Sequence, residues 1–166
     1  IFEIRKQPKI VNLYQDKTDN NLSFFSEPGT ITIETSLDRY LSDAKITGSK
    51  NQEIFEEYKK INTRFTDENL TLIEKRFNAI KNKDTKAADS LSAKQDSNTK
   101  RKYLFATNFA LNNRDFEVAP YIALSEIYDI NVKYLDTIQK SMSPKVAKSL
   151  YGKKLTEYVT SIKNQK

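Results

Sequence analysis

The stretch Asp16-Lys-Thr18-Asp-Asn20-Asn21-Leu-Ser-Phe-Phe-Ser-Glu27 sets an Asp at position 1, oxygen side chains at 3 and 5, and a Glu at 12. That is the ligand frame with which an EF-hand loop wraps calcium. Position 6, where the sharp turn wants Gly, is Asn21, and Phe24-Phe25 reads as strand rather than as loop leading into helix. The segment is therefore expected to be a β-turn that holds no metal. Paired carboxylates could do acid–base work without histidine. The pairs available are Glu53/Glu56/Glu57, Asp67/Glu68 and Asp84/Asp89, all in stretches rich in Lys and Asn. They read as solvent faces with i,i+4 support, for example Glu56 with Lys60. A basic cluster, Lys100-Arg101-Lys102, precedes Tyr103, Phe105 and Phe109. Base stacking on such aromatics is one use for it. At helical spacing the rings are more simply core, with the charges on the opposite face.

The chain contains no Cys, no His and no Trp. Thiol and disulfide exchange, Cys/His zinc sites and histidine triads are thereby excluded within these residues. The three glycines, Gly29, Gly48 and Gly152, lie too far apart for a phosphate-binding loop. Asn21-Leu-Ser23 and Asn69-Leu-Thr71 fit the N-glycosylation pattern, which is common by chance. These residues yield no catalytic, cofactor-binding or metal-binding site; no cofactor is expected, and the segment is read as not an enzyme.

Charge is unevenly placed. Net charge is +6, yet residues 1–50 hold seven basic and seven acidic side chains and residues 51–99 hold nine of each. The excess lies in the last 67 residues, with twelve basic against six acidic; Lys140, Lys145, Lys148, Lys153, Lys154, Lys163 and Lys166 face a lone Glu157 near the end. Nucleic acid is not the expected partner, because phosphate forks favour Arg and none of these seven is Arg. A solvated helix whose last-turn Lys residues suit the dipole accounts for them.

The elements that position these residues change character near residue 50. Before it, Ile10, Val11, Leu13 and Tyr14 form one apolar run and Phe24-Phe25 another; Glu27-Pro28-Gly29 signals a hairpin turn, and Thr30–Thr35 alternates as a half-buried strand. Lys45-Ile46-Thr47 is a last short strand closed by Gly48. Phe24, Phe25, Ile31 and Ile33 are expected to build the sheet core. After residue 50 the period is helical. Ile54, Tyr58, Ile61 and Phe65 are followed, after a step of five, by Leu70, Ile73, Phe77 and Ile80. The step predicts a slipped stripe or a bend near Thr66-Asp67. Further helices are expected over about 85–111, 117–128 and 132–140. A last one is capped by Ser143 with Pro144 at its first position, and carries Ala147, Tyr151, Leu155, Tyr158 and Ile162 down one face. The fold class is α+β: a small antiparallel β head over 1–49, then a mostly α-helical body of about five helices over 50–166. No apolar run approaches the ~20 residues of a membrane span.

Four stretches together resemble a known family. They are Phe24-Phe-Ser-Glu-Pro-Gly-Thr-Ile-Thr-Ile33, Lys45-Ile-Thr-Gly-Ser-Lys-Asn-Gln-Glu-Ile-Phe-Glu-Glu-Tyr58, Val118-Ala-Pro-Tyr-Ile-Ala-Leu124 and Ser143-Pro-Lys-Val-Ala-Lys-Ser-Leu-Tyr-Gly-Lys-Lys-Leu155. Their order and spacing resemble the N-terminal region of Bacteroidetes envelope thiol–disulfide oxidoreductases, in which a β-rich DUF4369-type domain and a helical segment precede a thioredoxin-like domain of the TlpA/AhpC-TSA group. The resemblance implies further strands before Ile1, so that the head is incomplete at its start. It also implies a Cys-x-x-Cys redox domain after Lys166, a periplasm-facing location, and a membrane link only through a lipid anchor outside this segment. The family's catalytic residues lie outside these residues and none is carried over. The implied function is that of a non-catalytic accessory region acting by spacing, self-association or client presentation, with the thioredoxin-like domain of the same parent chain as partner. Two alternatives stand beside it: a stand-alone envelope module that binds a protein or glycan on the β head, and an anion-binding protein using the Lys-rich last helix.

Overall fold

The computed structural model describes residues 2–4, 8–14 and 21–164. The alternation of Thr30–Glu34 produces strand β4 (Gly29–Glu34), which pairs antiparallel with β1 (Phe2–Ile4) on one side and β5 (Lys45–Thr47) on the other. The apolar runs earlier in the chain become β2 (Lys9–Tyr14) and β3 (Asn21–Ser26), a separate antiparallel pair with Ile10 opposite Phe25. The Glu27-Pro28-Gly29 turn thus does not make a hairpin. β3 and β4 pair with different partners, and the turn, with Gly29 at φ 128°, hands the chain from one sheet to the other. Side chains alternate between faces along a strand, so β3, with Leu22, Phe24 and Phe25 all buried, is covered on both sides. Ile31 is fully buried and Ile33 half-buried, as the alternation requires. Gly48 closes β5 at φ 90°; a Cβ there would sit 2.1 Å from the Thr30 carbonyl oxygen.

Among the described residues six helices follow rather than about five: α1 (Lys50–Lys81), α2 (Thr85–Asn112), α3 (Val118–Glu126), α4 (Val132–Ser141), α5 (Pro144–Ala147) and α6 (Leu150–Asn164). The single last helix expected from Ser143 is split. The Ser149 hydroxyl accepts from Gly152 N at 3.2 Å and opens α6, and the chain doubles back so tightly that a Cβ on Gly152 would lie 2.0 Å from the Val146 carbonyl oxygen. Only glycine fits that approach.

α1 is one unbroken helix of 32 residues, about 48 Å long at 1.5 Å per residue. Ser49 caps it, its hydroxyl accepting from Gln52 N at 3.1 Å. The step of five between Phe65 and Leu70 is a slip of the stripe: the helix continues unbroken while its apolar row moves to another face. Tyr58, Leu72 and Ala79 are buried and Phe65 half-buried, whereas Leu70, Ile73, Phe77 and Ile80 fall on another face and are exposed. The α1–α2 connection is compact. Asp84 N donates to Ala79 O at 2.9 Å and Lys83 N to Ile80 O at 3.0 Å, the paired bonds of a Schellman stop, with Lys83 in the left-handed position at φ 59°. Asp84 then caps α2 by accepting from Ala87 N at 2.9 Å.

One core joins the β head to the body. Phe25 meets Phe55, Tyr121 and Tyr151 edge-on at 5.1–6.2 Å. Tyr58 stacks on Phe105 at 5.6 Å and meets Phe109 at 5.4 Å. Ile122, Leu135, Ile138, Val146 and Leu155 complete it from α3 to α6. The backbone N–H of Ile10 on β2 donates to the Tyr151 hydroxyl at 2.9 Å, so α6 also holds the two-stranded sheet.

Candidate functional site

Each residue that could have done chemistry can be followed to its partners. Asp16, Thr18 and Asn20 of the calcium frame lie outside the described residues. The frame's second half is strand β3, and Glu27 turns to the start of α1, where it accepts from Lys50 N and from Asn51 Nδ2 at 2.7 Å. Among the described residues no group of three or more acidic side chains is arranged to hold a metal ion. Glu53 pairs with Lys50 and Glu56 with Lys59 at 2.8 and 2.7 Å. Glu56 and Glu57 also line a groove with Lys59, Lys60 and Thr63, all on one helix surface. Glu68 is bonded by Arg101 at 2.7 Å, and Asp84 is a helix cap. Asp89 is exposed.

Two of the three residues of the basic cluster are spent structurally, and Lys100 is exposed. Arg101 reaches Glu68, Lys102 reaches Glu126 at 3.8 Å, and the Tyr103 hydroxyl donates to Asp129 at 2.9 Å. Phe105 and Phe109 are in the core with Tyr58. Of the C-terminal lysines, Lys140 and Lys163 both hold Asp136, and their bonds keep its carboxyl below the usual carboxylate range. Lys145 stands 3.7 Å from Glu117. Lys148, Lys153 and Lys154 are exposed; Lys166 lies outside the described residues.

The one buried polar cluster among the described residues that joins head to body was not legible as a motif. Asn51, 2% exposed, donates through Nδ2 to Glu27 Oε2 and, at 3.1 Å, to Glu117 Oε2, and accepts through Oδ1 from Val118 N at 2.8 Å. Next to it Gln52, fully buried, accepts from Phe25 N at 2.8 Å and donates to Glu56 at 2.5 Å. Two consecutive amide residues at the start of α1 thus bind β3, the turn after it and the start of α3. A buried polar side chain such as that of Glu117 is costly unless it finds such hydrogen-bond partners. The signal available was the polar pair Asn51-Gln52 placed where the α1 apolar stripe begins. The arrangement is a structural bolt: both carboxylates already have partners. Deeper in the core, burial and then nearby Glu126 push the Tyr58 hydroxyl upward, so it stays a neutral phenol.

Large apolar side chains are exposed as well. Leu70, Ile73, Phe77 and Ile80 are 59%, 46%, 68% and 56% exposed along the outer half of α1. Arg76 and Gln95 join Ile73, Phe77 and Ile80 in a shallow groove beside α2. On the head, Leu37 and Leu41 are exposed in the β4–β5 connection. Among the described residues no helix is long and apolar enough to cross a membrane.

Compared with known proteins, residues 3–55 match the model of a domain of unknown function, DUF4369. The match covers the strands and runs into the first turns of α1, taking in Glu27, Asn51 and Gln52. No curated protein and no solved structure matches the chain.

Proposed function

We propose that this chain is a non-catalytic accessory region of a cell-envelope thiol–disulfide oxidoreductase. Its work is to hold a thioredoxin-like domain of the same parent chain at a fixed distance, or to present a client to it, on the periplasmic side of a membrane reached through a lipid anchor. The observation that carries the reading is mechanical. The DUF4369-matching strands are fastened to the start of α1 by Asn51 and Gln52 and to α6 by the Ile10–Tyr151 bond, so that the head and the last helix hold a fixed relation. The match over residues 3–55 supports the head of the resembling family, and the ordered stretches from Val118 and Ser143 support its helical segment. The acids, bases and cations weighed as catalytic are engaged in caps and ion pairs, or stand on solvent faces, as a spacer's would.

The test is the gene's reading frame. Continuation past Lys166 into a thioredoxin-like domain with a Cys-x-x-Cys pair, and a lipoprotein signal ahead of Ile1, is the expected result. A gene encoding no such domain overturns the reading. A second reading, an envelope module that binds a protein or glycan on the β head, draws on Leu37, which is 83% exposed beside the half-exposed Leu41. That reading requires Leu37→Ser to weaken ligand capture without changing the unfolding midpoint.

A further inference from the structure

We infer that the outer half of α1 is a self-association face, on which a second copy of this chain pairs antiparallel about a two-fold axis that crosses the apolar row midway between Ile73 and Phe77. The inference goes beyond the spacer reading and stands whatever domain follows. It starts from the four exposed apolar residues Leu70, Ile73, Phe77 and Ile80, a contiguous row on a helix whose other side is already packed. Monomers rarely leave a row of large apolar side chains uncovered on a surface.

The row's own order selects its occupant. Its spacing is 3, 4, 3, the a–d–a–d rhythm of a coiled-coil seam, and it reads the same in both directions. Turning a second copy end for end about that axis sets Leu70 against Ile80 and Ile73 against Phe77, so every layer joins an a position to a d position, as antiparallel pairing requires. Charge agrees at the ends of the seam. Asp67 and Lys81 both occupy e positions, which face each other in an antiparallel pair, and the same rotation brings Asp67 of each copy beside Lys81 of the other. At the axis, Glu74 meets Glu74 and Arg76 meets Arg76 of the second copy. Those like-charge contacts oppose association and keep it weak enough to be reversible. Room is available, because the residues packed on α2 (Phe65, Leu72, Ala79) lie roughly a third of a turn away from the seam. Both α2 helices then stand on the same side, clear of the contact. The aromatic core ends before this region, so pairing disturbs nothing in the body.

Sedimentation of the intact chain over a range of concentrations tests the inference, using a chain that contains no cysteine of its own. A monomer–dimer equilibrium is expected, weakened at least tenfold by Phe77→Ser. Phe77 is already mostly exposed, so this change leaves the thermal midpoint in place. Asp67→Lys and Lys81→Asp are each expected to weaken the dimer severalfold, and the double variant to recover it; Glu74→Gln is expected to tighten it. With a short bismaleimide, Glu74→Cys is expected to cross-link the two copies efficiently and Phe77→Cys poorly. A reversed cross-linking order means a parallel seam and overturns the pairing. A wild-type chain that stays monomeric at about 1 mM, or a dimer that Phe77→Ser does not touch, overturns the second copy as occupant.

Discussion

Between Ile54 and Phe65, α1 lays Tyr58 among Phe55, Phe105 and Phe109 and closes on a core shared by β3 and every later helix. Between Leu70 and Ile80 the same helix offers α2 only Leu72 and Ala79, and α2 answers with Ala88. The sequence of α2 explains the contrast. Its first half, Thr85–Thr99, has Leu91 as its one large apolar side chain, whereas its second half has Tyr103, Leu104, Phe105, Phe109 and Leu111. Root and tip are thus held by different forces. The root relies on aromatic burial and a desolvated hydrogen-bond cluster; the tip relies on helix propensity, its caps and the Glu68–Arg101 pair. The tip also keeps a second apolar row that nothing among the described residues covers.

Removing a ring from each region should break that comparison open most widely. Phe25→Ala removes a fully buried ring that meets three others. It is expected to cost about 3–5 kcal/mol of unfolding free energy by urea titration. Phe77→Ser at the tip, measured as dilute monomer, is expected to change stability by less than about 0.5 kcal/mol. Equal costs would mean that the tip contributes to the core as the root does.

Next in size is the bolt at the root. Asn51→Ala leaves the half-buried Glu27 and the buried Glu117 and Val118 N–H each short of a bond. The expected cost is about 2–4 kcal/mol. It should be accompanied by faster amide exchange in β3 and at the start of α3, with none at the hairpin tip. A loss spread evenly over the chain would show that head and body are not joined through this residue.

Most of this architecture is legible from residue spacing, and what is not has a physical cause. The alternation of Thr30–Glu34 is a local signal and β4 falls where it places it; Ser143-Pro144 does open a helix, but one of four residues with no side-chain cap bond, and the long last helix starts at Leu150. Pairing between strands is not local. Glu27-Pro28-Gly29 is a good turn whichever strands flank it, so it cannot say that β3 and β4 pair elsewhere. The five-residue step in α1 likewise signals a change of face. Whether the new face is covered depends on how apolar the neighbouring helix is, and that is written in the first half of α2 and not in α1 itself. Asn51 and Glu117 are separated by 66 positions and read as ordinary polar residues until the fold brings them together.

A smaller effect is expected where the tip's geometry departs from preference. Lys83 holds the left-handed position of the Schellman stop at φ 59°, where a side chain costs about 1–2 kcal/mol and glycine nothing. Lys83→Gly is expected to stabilise the hairpin by about 1 kcal/mol. The gain should appear as slower amide exchange around Leu72 and Ala88, because a region with few buried apolar side chains is expected to open locally. A gain confined to global unfolding would mean that the tip and root melt together.

The smallest effect separates the two regions by pH. Asp136 on α4 holds Lys140 at 2.8 Å and Lys163 of α6, and these bonds keep its carboxyl below its ordinary value. The folded state therefore binds this proton less readily than the unfolded chain does. The contribution is complete above the unfolded carboxyl's value of about 3.9 and is lost as pH falls through the lower folded value. Unfolding midpoints of the wild type and Asp136→Asn should then differ by a constant amount from pH 7 down to about pH 5 and converge below that. The change should loosen the α4–α6 contact in the body while amide exchange at the Leu72–Ala88 tip contact stays as it was. The tip's own ion pair, Glu68–Arg101, joins α1 to α2 and has no part in holding α6. If the midpoints converge only because the tip opens first, Asp136 is not what fastens the last helix.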